Sequence, residues 1–322
     1  MEGGGEFRCW EELIPDALGL IFSHLPLQEI LTVIPRVCKS WAIAVSGPYC
    51  WQEIDIEEWS LSCEQENLDR MLQMLITRSS GSVRKLCISG LQDDRISFIA
   101  DHSRSLQTLR MPRSEISDSI VEQVAGKLSN LTFLDISHCG KIGPRAIEAF
   151  GKHCKSLVGL KRTMHPLEVA HKLCQDDEAH AIAATMPKLK HLELSYLHLT
   201  TGGALEILSN CHELEFLDVR GCWDVKLGDE FLKEKCAGLK ILGPLIVDCC
   251  QMNYWDDCSE YSDSTDGSWY YWDELQHGVE DDDGESFDGS WVDERGLDEL
   301  EVRFYEGFND TVAAGFDWPP SP

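Results

Sequence analysis

A six-residue pattern, L-x-x-L-x-[ILVM], returns through the middle of this chain and restricts its architecture more than any other feature. Leu131/Leu134/Ile136 and Leu214/Leu217/Val219 head two stretches that align almost throughout; each reaches a cysteine three residues later (Cys139, Cys222) and a C-x-x-L step into the next unit. Val83/Leu86/Ile88, Leu106/Leu109/Met111 and Leu189/Leu192/Leu194 repeat the pattern. Leu157/Leu160 lacks its third member because Arg162 takes the slot. Trp51/Ile54/Ile56 reads as an opening unit and Leu239/Leu242 as a closing one that breaks at Pro244. Successive units start 32, 23, 25, 26, 32, 25 and 25 residues apart. Each supplies one short strand, whose fourth and sixth positions share a face, and a return long enough for a helix. The returns fit: Ile116, Ile120, Val124 and Leu128 make one helical face, and Ile142, Ala146, Ile147 and Phe150 another. No unit buries its strand residues alone, so neighbours must bury one another. The expected fold is α/β, a short right-handed solenoid with a parallel sheet.

Ahead of the repeats, residues 13 to 26 read LIPDALGLIFSHLP. Pro15 opens a helix where its missing N–H costs nothing, and Ile14, Leu18, Ile21, Phe22 and Leu25 then fall at helical spacing. Only Asp16, Gly19 and Ser23 interrupt the apolar surface, so this helix needs cover on more than one side. Pro26 and Pro35 bracket a second helical segment, LQEILTVI. A third, RVCKSWAIAV, carries Val37, Trp41 and Val45 four residues apart and ends at Gly47-Pro48.

Charge separates the C-terminal end from the rest. The net charge is −28, and from Asp248 onward 22 acidic residues face 2 basic ones, so 20 of those excess charges lie in the last segment. Aromatic residues from Trp255 to Trp318 are scattered among the acids. Like-charge repulsion opens such a segment, which is expected to be disordered, with patches that fold on contact. The acidic balance argues against phosphate backbones and anionic lipid, so neither nucleic acid nor membrane is an expected partner. The longest uncharged run near the N-terminus, 17 to 28, is far short of a membrane span. Glu2, Glu6, Glu11 and Glu12 stand where a signal peptide needs a basic start, so the 14 cysteines are expected as reduced thiols in the nucleus or cytoplasm.

The run from Leu13 to Pro26, then Arg36-Val-Cys-Lys-Ser-Trp41 and Gly47-Pro-Tyr-Cys-Trp51, resembles an F-box. Ile14 stands where that family usually has leucine, a change small in volume. The repeats resemble the cysteine-containing leucine-rich class that commonly follows an F-box. The resemblance divides the chain into a flexible start (1–9), an F-box (10–52), leucine-rich repeats (53–246) and an acidic aromatic-containing tail (247–322). It implies that Leu13, Ile14, Pro15, Leu18, Ile21, Leu25, Leu31, Val37 and Trp41 are shared between a small core and the groove of a Skp-type adaptor, which joins cullin and RING subunits. The implied role is that of a substrate receptor in a plant-type ubiquitin ligase, without catalytic residues. A scaffold that binds the adaptor without causing degradation is the alternative, followed by a small-molecule co-receptor.

A target protein is expected on strand side chains at the third, fifth and seventh positions of the units: Lys85, Thr108, Arg110, Phe133, Asp135, Ser137, Lys161, His191, Glu193, Phe216, Asp218 and Arg220. Phe133 and Phe216 are the anchors, since aromatics among mixed charges dominate binding energy. The long fourth unit is expected to form a loop between about Met164 and His180. Cys139 and Cys222, and Cys154, Cys211 and Cys236 before the next leucine, read as small core residues. His171, Cys174, Asp176, Asp177 and His180 lack metal-ligand spacing, so no metal and no cofactor is expected. Trp223-Asp, Trp255-Asp and Trp272-Asp do not make a β-propeller, because the intervals are 32 and 17 residues and no set of four strands accompanies them.

Overall fold

A computed structural model describes residues 10, 13–63, 65–165, 174–227 and 238–244. The acidic tail therefore lies outside the described residues, as do residues 166–173 of the expected long loop, including His171, and Cys236; from Asp176 the stretch expected as loop is helical.

Four short helices open the chain: α1 (Pro15–Phe22), α2 (Leu27–Thr32), α3 (Ile34–Val37) and α4 (Lys39–Ser46), closed by a 3-10 turn, Pro48–Trp51. Pro35 does not end a helix but sits in the first turn of α3. Cys38 is extended, at φ −161° and ψ 168°, and breaks the expected third helix. Val37 is consequently exposed while Val45 is buried, although their spacing suggests one face.

Eight three-residue strands follow in one parallel sheet, ordered as in the sequence. They are β1 (Glu53–Asp55), β2 (Lys85–Cys87), β3 (Thr108–Arg110), β4 (Phe133–Asp135), β5 (Gly159–Lys161), β6 (His191–Glu193), β7 (Phe216–Asp218) and β8 (Lys240–Leu242). Their middle residues, Ile54, Leu86, Leu109, Leu134, Leu160, Leu192, Leu217 and Ile241, stand in register across the sheet. The closing unit is thus one residue out from the sequence reading: Ile241, not Leu242, pairs with Leu217. The returns contain α5 (Glu57–Ser62), α6 (Gln65–Ser79), α7 (Asp93–His102), α8 (Asp118–Val124) with a 3-10 turn to Leu128, α9 (Pro144–His153), α10 (Asp176–Thr185) and α11 (Thr201–Asn210). The first interval is long because it holds both α5 and α6.

Bonds between neighbouring units explain why small polar residues recur. The thiols of Cys139 and Cys222 donate to the carbonyls of Met111 and Leu194, each at 3.2 Å, and Cys154 donates to Leu128 at 3.2 Å. Burial pushes Cys154 and Cys222 up to about 12, so they stay protonated and act as donors rather than nucleophiles. Aspartates near the helix starts do similar work: Asp93 accepts the Ser117 N–H at 2.8 Å, Asp118 that of Gly143 at 2.7 Å and Asp176 that of Thr200 at 2.9 Å.

Arg162, at the position where other units carry an aliphatic side chain, is fully buried. Its Nε lies 3.1 Å from Glu178 Oε2, and its Nη atoms donate to the carbonyls of Cys139 at 3.0 Å and Ile142 at 2.8 Å. Gln175 also donates to Glu178, at 2.9 Å. The guanidinium thus ties the end of β5 to α10 and to the preceding unit. A buried ion deprived of its partner costs about 3–5 kcal/mol. Arg162→Leu, which restores the repeat pattern, is therefore expected to destabilise the chain by about 3 kcal/mol in urea unfolding, and Arg162→Leu with Glu178→Gln by clearly less.

Candidate docking surfaces

The N-terminal helices divide their apolar side chains between two directions. At 100° per residue, Leu18, Phe22 and Gly19 occupy one arc of α1 and are buried, whereas Ala17, Leu20 and Ile21 occupy the adjoining arc. Leu20 and Ile21 are exposed, as are Leu13 and Ile14 just before the helix, Ile14 to 66%. Val33, Val37 and Ile43 add exposed apolar side chains from the α2–α3 junction, α3 and α4. Pro15 is exposed as well. Of the residues expected to be shared between a small core and the adaptor groove, Leu18 and Leu31 lie in the internal core and leave almost no surface for a groove. Leu25 and Trp41 are half-buried against it; the Trp41 ring lies 4.9 Å from that of Phe22. Leu20, Val33 and Ile43 were absent from the expected set, although the wheel of α1 places Leu20 beside Ala17.

Trp51 joins these helices to the solenoid. It is fully buried, its Nε1 donates to Val45 O at 2.9 Å, and the Arg78 guanidinium from α6 lies 5.6 Å from its ring centre. Ser82 donates to Pro48 O at 3.2 Å. The joint is packed.

On the open face of the sheet the expected residues stand side by side on neighbouring strands, with three corrections. Asp135 and Asp218 do not project toward a partner: their carboxylates bend back to accept the N–H groups of Ser137 and Arg220, each at 3.0 Å. Arginines cover them, Arg110 3.5 Å from Asp135 and Arg220 2.7 Å from Asp218. Ser137 is buried too. Phe133 is half-exposed and leans across β5, where a Cβ on Gly159 would stand 2.5 Å from its Cδ2. His191 stacks on Phe216 at 4.5 Å between ring centres, and Lys240 stands 5.8 Å from the Phe216 ring centre. Lys85 pairs with Glu53 at 3.8 Å, and Thr108 is half-buried beside it in register.

Glu193 accepts from His191 at 2.7 Å and lies 3.3 Å from Lys161. Burial pushes its carboxyl up, but the His191 hydrogen bond and the Lys161 charge outweigh that, and it titrates below the usual glutamate range. At the other end of the sheet, ligand atoms of Asp55, Glu57 and Cys87 lie within 4.8 Å of one another, a grouping that chain spacing conceals. Arg110 lies 3.4 Å from Glu57 and supplies positive charge there. Of the dispersed His/Cys/Asp cluster, Asp176 is engaged by Thr200 and His180 by Glu206 at 2.6 Å.

Because the folded chain holds Glu193 below its unfolded pKa, it binds fewer protons between the two values. The stability this confers is complete above the unfolded value of about 4.3 and disappears as pH falls through the folded one. Urea unfolding across the acidic range is expected to give a shallower pH dependence for Glu193→Gln than for the parent chain.

Comparison with known proteins agrees with this layout. An F-box-like family profile matches residues 15–57 and a Leucine Rich repeat profile residues 127–151. The F-box protein FBW2 of Arabidopsis thaliana is 54% identical over 100% of both chains. F-box protein SKIP19 of the same plant is 33% identical over 74% of this chain and 78% of its own. F-box protein SKIP1, also of Arabidopsis thaliana, is 30% identical over 72% of this chain and 85% of its own. With an N-terminal group of helices that leaves apolar side chains uncovered and a leucine-laddered sheet behind it, this chain belongs to the F-box/leucine-rich-repeat family.

Proposed function

We propose that the chain is the substrate-recognition subunit of a Skp-cullin-F-box ubiquitin ligase. Helices α1 to α4 dock on a Skp-type adaptor, which connects to cullin and RING subunits. The open face of the sheet holds a target protein for ubiquitination and proteasomal degradation. The observation that carries this reading is the exposed apolar set Leu13, Ile14, Leu20, Ile21, Val33, Val37 and Ile43, on helices that the family uses for docking. Each is roughly half-exposed, so covering it is worth about 1 kcal/mol before the cost of association.

The chain performs no bond chemistry in this scheme. Its contribution is to hold target lysines near a ubiquitin-charged enzyme at raised effective concentration. The packed joint at Trp51 supports that role, because a fixed angle between adaptor and target limits where the lysines travel. Action in the nucleus or cytoplasm agrees with cysteines that are free throughout the described residues.

Calorimetric titration of the full chain with a purified Skp-type adaptor tests the proposal. Ile14→Asp with Ile21→Asp is expected to weaken binding at least 100-fold while leaving the melting temperature within a few degrees. Leu18→Ala is expected instead to destabilise the fold by about 2–5 kcal/mol. An unchanged adaptor affinity in the double aspartate variant would overturn the assignment.

A further inference from the structure

The open face of the sheet changes character along its length. At the β1 end, carboxylates face solvent: Glu53 is 69% exposed at its side chain, more than its partner Lys85 at 41%, and Asp55 is exposed beside it. From β4 to β8 the order is inverted. The side chains of Asp135 and Asp218 are 3% and 2% exposed, whereas Arg220 above Asp218 is 53% exposed. Glu193 is held between His191 and Lys161, and Lys240 stands in solvent at the last strand. On the flank, exposed Glu215 is matched by Lys190 at 2.9 Å. A partner approaching β4 to β8 therefore meets cationic groups first and carboxylates beneath them.

The same strands carry the rings. Phe133 covers Gly159, and the stacked pair His191 and Phe216 continues the surface. From β4 to β7 is three strand spacings, about 14 Å, the reach of about four residues of extended peptide. A row of ring faces with cationic groups around it complements a segment that alternates negative charge with flat apolar side chains.

We propose that the β4–β8 half of this face, built on Phe133, His191, Phe216, Lys161, Arg220 and Lys240, is the docking site for an acidic peptide segment of the target that bears aromatic side chains. This names the target class for the ligase role proposed above and rests on that reading. At the β1 end the exposed carboxylates of Glu53 and Asp55 make a poorer seat for such a segment than the C-terminal strands.

Fluorescence anisotropy on the full chain tests it with two labelled twelve-residue peptides, one alternating Glu with Trp and Phe, the other carrying Lys in place of Glu. Adaptor binding is measured on the same samples. The acidic peptide is expected to bind saturably in the micromolar range and the basic one not to bind. Lys240→Glu and Phe216→Ala are each expected to weaken the acidic peptide about five- to tenfold without altering adaptor affinity. Equal binding of the two peptides, or indifference to both variants, would overturn the site. So would failure of the acidic peptide on a chain that still captures the adaptor, including the case in which the chain's own acidic C-terminal segment holds the face. Peptide binding without adaptor binding would support the site and sink the ligase reading instead.

Discussion

Every strand among the described residues is three residues long, and its middle side chain is covered only because neighbouring strands supply the walls. The ladder from Ile54 to Ile241 is therefore the constraint on which the rest depends. An isolated unit would expose its leucines and orphan its backbone groups; stacked units satisfy both. Thiols and carboxylates then tie the returns together: Cys139, Cys154 and Cys222 reach carbonyls of preceding units, and Asp93, Asp118 and Asp176 hold the N–H groups of following ones. The helical segment at the N-terminus joins the same stack through Trp51. Its closing turn thereby packs on α6, and the segment escapes the difficulty of closing a core from four short helices.

The two candidate docking surfaces follow from what the ladder leaves over. Burying Leu18 and Phe22 against α4 and the Pro48–Trp51 turn leaves the other arc of α1 in solvent, so the apolar surface that cannot enter the common core faces outward. On the sheet, side chains alternate: the ladder consumes one face and frees the other. Free positions near strand exits attract carboxylates that cap backbone N–H groups, and arginines then settle over them. The open face thus acquires arginines over its carboxylates as a by-product of strand termination at Asp135 and Asp218.

Much of this arrangement was legible in the sequence because hydrophobic spacing reports burial directly. The strand positions, the returns, the F-box helices and the structural role of the periodic cysteines all express that signal. The failures share a cause: spacing does not say which way the backbone turns. Leu239 and Leu242 imitate the repeat spacing, yet pairing places Ile241 on the ladder, and that slip of one residue hid Lys240 from the open face. Val37 and Val45 look like neighbours on one helix until the extended Cys38 separates them. Asp135 and Asp218 occupy outward-facing positions, but their carboxylates fold back onto the chain. Arg162 was visible as an exception; its partner Glu178, beyond a long insertion, was not.

The central claim is mechanical unity: the N-terminal helices and the leucine-laddered sheet belong to one packed body joined at Trp51. Amide hydrogen exchange on the full chain carrying Trp51→Ala measures this most directly. The account predicts that protection falls together in α1, α4, β1 and β2, with the loss fading toward β7. Loss confined to α1 and α4, with β1 and β2 as protected as in the parent chain, would contradict it.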